Sequence, residues 1–495
     1  MSSAAIRPTL KDPSLLKQAA FINGNWIDAK GGKTFAVLDP ASDTEIGTLP
    51  EQTAEDARKA IECAEEAFNS FKKTTPRERA TLLTKWYNLC VENADDLASI
   101  ISWENGKTLA EAKGEVTYGN SFFQWFAEES PRAYGDMIPS GIKGNRVLTI
   151  KQPLGVVGLI TPWNFPHAMY ARKVAAAIAA GCTVVLKPGG ETPFTALAVA
   201  ELGQRAGVPK GVFNVVTCLA NTPDVGKELT TNPIVKKISF TGSTGVGKIL
   251  MKQAADTVKK VSFELGGNAP FIVFEDADLD KAVAAAVACK FRGTGQTCIC
   301  ANRFFIHESL YDIFIERFSA EVAKFKVGAG LKEGSTHGPL IHSRAVDKVE
   351  SLLQDAVSKG GKIVIGGKRL TELGNNFFAP TIIKDCTTDM AFAQEEIFGP
   401  IAAIYKFSSE AEVLRLANDT NVGLAGYFFS QDVGRIFRVA EELEVGMIGA
   451  NTGIISDAAL PFGGIKESGL GREGSKYGLD EYLKIKAVTL GGLGL

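Results

Sequence analysis

Apolar residues along this chain recur with two different periods, and the changes from one to the other lay out the fold. Between Phe21 and Leu49, short apolar segments are broken by Asn23-Gly24 and Gly31-Gly32, as a hairpin would be. The period then lengthens: Ala60, Ile61, Ala64, Ala67, Phe68 and Phe71 fall on one face of a helix over 54–73, and Pro76 opens another helix at a tolerated position. From Gly155 onward, β-branched runs at 156–160, 183–186, 213–216 and 238–240 alternate with helical runs at 167–180, 194–206 and 246–257. That rhythm predicts a parallel, doubly wound sheet. A second series follows Glu264, with strands at 271–274, 304–306, 363–365, 402–405, 426–429 and 446–449. Helices at 278–291, 310–325, 345–359, 410–418 and 433–443 separate them and make a second α/β domain. The end of the chain, 485–495, is apolar and β-prone with no obvious internal partner, so it predicts pairing with another copy of the chain.

Composition narrows the function classes. A length of 495 residues fits about three domains. With 54 Lys plus Arg against 56 Asp plus Glu, no global field favours nucleic acid or an acidic membrane surface. Apolar stretches such as 174–181 fall short of the roughly 20 residues that a spanning helix needs. Residues 1–21 lack the apolar core of a secretory signal, while Arg7, Lys11 and Lys17 against Asp12 leave an organelle-targeting reading open. Eight scattered cysteines without a CxxC pair fit reduced thiols and a cytoplasmic location. Four histidines, none in HExxH spacing, predict no metal site.

Candidate chemistry lies in four short segments. Thr241-Gly242-Ser243-Thr244-Gly245-Val246-Gly247-Lys248 is a strand feeding a glycine-rich turn and a helix, a setting in which backbone N–H groups face a phosphate. Its GxxxxGK spacing also matches a P-loop NTPase, but Ile249 stands where a magnesium-binding hydroxyl belongs. A turn whose glycines serve packing alone is the third reading. Lys187 closes a strand before Pro188-Gly189-Gly190, where a cation can reach a ribose or phosphate. Cys298 sits in a loop of small residues, and a free thiol needs a base to become a nucleophile. Glu264, at a strand end before Gly266-Gly267, is a candidate base whose burial would raise its pKa. Asn164, held between Pro162 and Pro166, can present an amide to a developing oxyanion. Each has a plainer reading: a packed thiol, a surface carboxylate, an amide closing a turn.

Together these residues resemble the aldehyde dehydrogenase superfamily from about Phe21 to the C-terminus. The motifs are Pro162-Trp163-Asn164-Phe165-Pro166, Phe240-Thr241-Gly242-Ser243-Thr244, Glu264-Leu265-Gly266-Gly267-Asn268, Gly295-Gln296-Thr297-Cys298, Glu395-Glu396-Ile397-Phe398-Gly399-Pro400 and Pro461-Phe462-Gly463-Gly464. The resemblance implies two doubly wound Rossmann-like domains plus a small β oligomerisation element. These would be a dinucleotide-binding domain (1–130 and 153–263), a catalytic domain (264–460) and an oligomerisation element (131–152 and 480–495). It implies Cys298 as nucleophile, Glu264 as base, and Asn164 with the Cys298 backbone N–H as oxyanion hole. Trp163, Lys187 and Ser243 would contact the adenosine and pyrophosphate side of a dinucleotide, Glu396 its nicotinamide ribose and Phe398 the nicotinamide; Glu473 matches a proton-relay position. Ala171-Arg172-Lys173, Lys290-Phe291-Arg292-Gly293 and Asn451 to Ser456 are similar to the succinate-semialdehyde branch. That implies Arg172, Arg292 and Ser456 on the far carboxylate of a small aldehyde, a pairing that suits bidentate Arg. Dehydrogenation of another carboxylated or neutral aldehyde is the alternative. Gly190 stands where NAD-preferring relatives carry a ribose-binding carboxylate, so NADP or NAD is expected as cofactor. Cys300 is a candidate redox switch with Cys298, and the chain is expected to form a homo-oligomer, dimer or tetramer.

Overall fold

The computed structural model describes residues 6–494; positions 1–5 of the targeting reading and Leu495 of the tail lie outside the described residues. Two sheets dominate. In the first, Phe213–Val215, Thr183–Lys187, Val156–Ile160, Val235–Thr241 and Lys260–Glu264 lie side by side and parallel. Antiparallel strands close its edges: Ala20–Ile22 and Asn25–Ile27 at one side, Gly469–Leu470 at the other. The second sheet orders Thr381–Lys384, Ile401–Phe407, Ala301–His307, Ala269–Val273, Ala425–Phe429 and Met447–Ala450 in parallel, with Lys362–Ile365 antiparallel at one edge.

The central strands are buried on both faces, so they read as unbroken apolar runs. Helices cover them: Ala168–Ala180 is buried along its whole length, whereas Ala54–Phe71 buries Ala57, Ala60, Ile61 and Ala64 on one face. Thr53 and Asp56 close a reciprocal capping box on the latter, as Thr75 and Glu78 do before Pro76.

Two expectations change. The segment 21–49 is two hairpins, Ala20–Ile22 with Asn25–Ile27 and Thr34–Asp39 with Thr44–Pro50, and Gly31-Gly32 links them. The tail does have an internal partner: Leu483–Leu490 runs antiparallel to Arg146–Pro153, which also pairs with Met137–Pro139. A pairing between segments more than 300 positions apart leaves no local signal. The three strands form a separate small sheet with Leu483–Leu490 at its edge. Among the described residues, no helix is long and apolar enough to cross a membrane.

Candidate active site

In the first sheet the strands run outward in both directions from the pair Val156–Ile160 and Val235–Thr241. The winding reverses at that pair, and in open α/β sheets ligands bind there, outside the C-terminal strand ends. The two loops leaving those ends are Thr161-Pro162-Trp163-Asn164 and Gly242-Ser243. A cavity of about 360 Å³ opens between them, walled by Trp163, Asn164 and Ser243 and, from the second sheet's side, by Cys298, Glu396 and Phe398.

Cys298 lies on the loop joining helix Leu279–Phe291 to strand Ala301–His307. Gly267 lets this loop approach, because a Cβ there would stand 2.6 Å from the Cys298 carbonyl oxygen. Burial pushes the Cys298 thiol up to about 12, with Arg172 pulling the other way, so the resting sulfur is protonated. A nucleophile here requires a base.

Glu264 ends the strand Lys260–Glu264 and is buried. One carboxylate oxygen accepts from the Thr241 hydroxyl at 3.2 Å and pairs with Arg172; the other has no partner. The Arg172 guanidinium also pairs with Glu473, which in turn pairs with Lys173, and it lies over the Phe462 ring at 4.4 Å. Arg172 is thus engaged by two buried carboxylates and does not line the cavity on which Arg292 and Ser456, the other two residues of the substrate grouping, meet. Arg292 and Ser456 do come together, Nη1 to Oγ at 3.0 Å, on a second cavity of about 260 Å³. Arg292 lies over the Phe165 ring at 4.8 Å, one residue from Asn164.

The Asn164 amide nitrogen donates to the Gln296 carbonyl at 3.0 Å, which leaves its second N–H for another acceptor. The loop is held from behind by residues that local sequence does not single out. Lys107, buried and paired with Glu115, donates to the Asn164 carbonyl at 2.8 Å, and Glu115 accepts from the His167 N–H at 2.7 Å. On helix and loop surfaces Lys and Glu are ordinary, so only their burial marks them.

On the cofactor side, Phe398 takes a left-handed backbone (φ 53°) and meets Trp163 edge-on, with ring centroids 5.6 Å apart. Glu396 accepts from the Gly267 N–H at 3.4 Å, and burial pushes its carboxyl up to about 7. Ser243 precedes helix Thr244–Ala255, and its side chain makes no capping bond, so the first-turn N–H groups face outward for an anion. Lys187 and Gly190 sit on the neighbouring strand end and loop and do not wall the cavity. A Cβ at Gly190 would stand 2.7 Å from the Leu219 side chain and 3.1 Å from the Cys218 carbonyl oxygen. Arg344 and Lys348, both unforeseen, add cations to the cavity wall. Cys300 is buried behind the loop, its thiol toward the Lys290 carbonyl at 3.5 Å. Lys248 is exposed and bonded to Glu467 at 2.7 Å, so the P-loop reading loses its phosphate lysine as well as its magnesium hydroxyl.

A model of the aldehyde dehydrogenase family matches residues 26–488. Succinate-semialdehyde dehydrogenase [NADP(+)] 1 of Schizosaccharomyces pombe is 55% identical, covering 99% of this chain and 100% of the relative. Glutarate-semialdehyde dehydrogenase of Pseudomonas aeruginosa is 54% identical over 98% of this chain and 100% of its own length. The crystal structure of succinate-semialdehyde dehydrogenase from Burkholderia pseudomallei superposes with a TM-score of 0.97 at 53% identity, covering 98% of this chain and 100% of that one.

Proposed function

The chain belongs to the aldehyde dehydrogenase family, and from that premise we propose that it oxidises succinate semialdehyde to succinate with NADP or NAD. The observation that carries the substrate is the Arg292–Ser456 pair, a cation and a hydroxyl held together at a small cavity by the Asn164 loop. A guanidinium so placed matches a carboxylate at the far end of a short aldehyde.

The residues support a sequence of steps on the protein's own atoms. Cys298 adds its sulfur to the aldehyde carbon while its proton passes to Glu264, giving a thiohemiacetal. The second N–H of Asn164 and the Cys298 backbone N–H receive the oxyanion. Trp163, Ser243, Glu396 and Phe398 would hold a nicotinamide dinucleotide in the first cavity, and it would supply the acceptor for the hydride that this tetrahedral carbon must lose. Glu264, having released the thiol's proton to solvent, takes a proton from the water that attacks the resulting thioester; the carbon–sulfur bond breaks, succinate leaves and the Cys298 sulfur regains a proton. Arg172 orients Glu264, and Glu473 with Lys173 continues the charged chain away from the site.

The cleft suits a dinucleotide in two respects: an uncapped helix start for pyrophosphate, and the Trp163–Phe398 pair for an aromatic ring. Gly190 offers no carboxylate to repel a ribose 2′-phosphate, and its crowding by Leu219 and Cys218 opposes adding one. This supports NADP alongside NAD.

The test is reduced-nicotinamide absorbance with each cofactor at matched concentration across succinate semialdehyde, glutarate semialdehyde and butanal. Highest kcat/KM on succinate semialdehyde is expected. No reduction, or butanal as the best substrate, would refute the assignment.

We further propose a homo-oligomer, dimer or tetramer, joined through the edge strand Leu483–Leu490, on which Ile485 is 70% exposed. Deletion from Leu483 onward should shrink the assembly in a size measurement; an unchanged size would overturn this. All eight cysteines are free thiols, which supports a cytoplasmic location.

A further inference from the structure

Helix Leu109–Glu129 carries Tyr118 to the wall of the cavity on which Arg292 and Ser456 meet. Its ring is fixed. It meets Phe122 edge-on at 4.9 Å and packs on the cluster of Phe165, Ala168 and Met169. Its hydroxyl, by contrast, is sealed from solvent and donates to no acceptor, with the Arg172 guanidinium on the oxygen's side. Buried tyrosine hydroxyls ordinarily have one, so an orphan needs an explanation.

The surroundings supply it. Arg172, Arg292 and Cys298 all lie near enough to act on the phenol, and burial raises it above its ordinary value, so at neutral pH it is an O–H donor. A donor without an acceptor, flanked by two guanidiniums and lining the cavity that holds the Ser456 hydroxyl, is suited to an anionic oxygen of a ligand. We propose that Tyr118 is a specificity-determining residue: its hydroxyl donates to the substrate's far carboxylate beside Arg292 and Ser456, and its ring sets the chain length that fits between Cys298 and that clamp.

The inference rests on the dehydrogenase reading above, and the experiment separates the two. Tyr118→Phe removes the hydroxyl and keeps the ring, while Tyr118→Ala also shortens the wall. For Tyr118→Phe, KM for succinate semialdehyde should rise about tenfold, as the loss of one hydrogen bond to a charged group predicts, with kcat within twofold. Butanal, which lacks the carboxylate, should move less than twofold and doubles as the check that the variant is folded. For Tyr118→Ala, the kcat/KM ratio of glutarate over succinate semialdehyde should rise. Equal losses on both aldehydes in Tyr118→Phe, or no change on either, would overturn the assignment. A fall in kcat for butanal would put the hydroxyl on the reacting oxygen and overturn the clamp role. A wild-type enzyme that treats succinate semialdehyde and butanal alike would overturn the substrate reading and the clamp with it.

Discussion

Arg292→Ala offers the sharpest test of the substrate assignment. The substitution removes the guanidinium bonded to Ser456 at 3.0 Å and stacked over Phe165 at 4.8 Å. A carboxylate entering the cavity would then lose its cation. Breaking a buried pair by deleting one partner costs roughly 3–5 kcal/mol, because the other charge stays buried and uncompensated. Arg292 is only partly buried, so the lower end applies. At about 1.4 kcal/mol per tenfold, kcat/KM for succinate semialdehyde should fall by about 100-fold. Butanal makes no demand on the cation, so its kcat/KM should change by no more than about threefold, through loosening of the Phe165 loop. Arg292→Lys keeps a charge but loses the planar fork, so its loss should be intermediate, about tenfold. The assay is initial-rate nicotinamide reduction over a full range of each aldehyde. Equal losses on the two substrates would refute the reasoning, because a structural injury to the Cys298 loop does that and a lost carboxylate contact does not.

Three further outcomes follow from the same geometry. Glu264→Gln keeps the shape of the base but cannot accept a proton, so turnover should fall by roughly 100-fold or more; undiminished steady-state turnover in stopped-flow and steady-state assays would exclude Glu264 as the base. Glu396 is raised by burial from 4.5 to about 7, so its contribution to stability is full below pH 4.5 and is lost as pH climbs to 7. Glu396→Gln should therefore raise the melting temperature relative to the parent at about pH 8 and not at about pH 4; an equal difference at both would contradict the sign. Lys248→Ala removes an exposed pair with Glu467 and should cost at most ~1 kcal/mol of stability while leaving nicotinamide reduction intact; a large activity loss would reinstate a phosphate role for that lysine.

Much of the fold was legible because buried parallel strands and their covering helices write their periods directly into the chain. Strand Val156–Ile160 is apolar at every position but its glycine, and helix Val433–Glu442 starts within the run that periodicity marks. Edge pairings were illegible for the opposite reason. Gly469–Leu470 is only two residues long, Leu483–Leu490 has no sequence neighbour to pair with, and the partners of both lie hundreds of residues away. The candidate site divides in the same manner. Cys298, Asn164 and Glu264 stand in glycine- and proline-punctuated loops or strand ends that look unusual in isolation. Tyr118, Lys107 and Glu115 belong to a helix and the turn before it, where aromatic and charged residues are commonplace; the burial of Lys107 and Glu115 and the half-burial of Tyr118 arise only once the Asn164 loop is laid across them. The double engagement of Arg172 was likewise beyond local reading, since one of its carboxylates lies at position 473.

The stitching of the first sheet by the chain's last segment bears on how this protein is made. Gly469–Leu470 seals the edge beside Glu264, and Glu473 supplies the counter-charge to Lys173, which is fully buried. Until translation has passed these positions, a nascent polypeptide holds a naked β-edge and an uncompensated ammonium inside its first domain. A message cut short before position 469 would therefore yield a product defective at its centre, and a ready substrate for proteolysis.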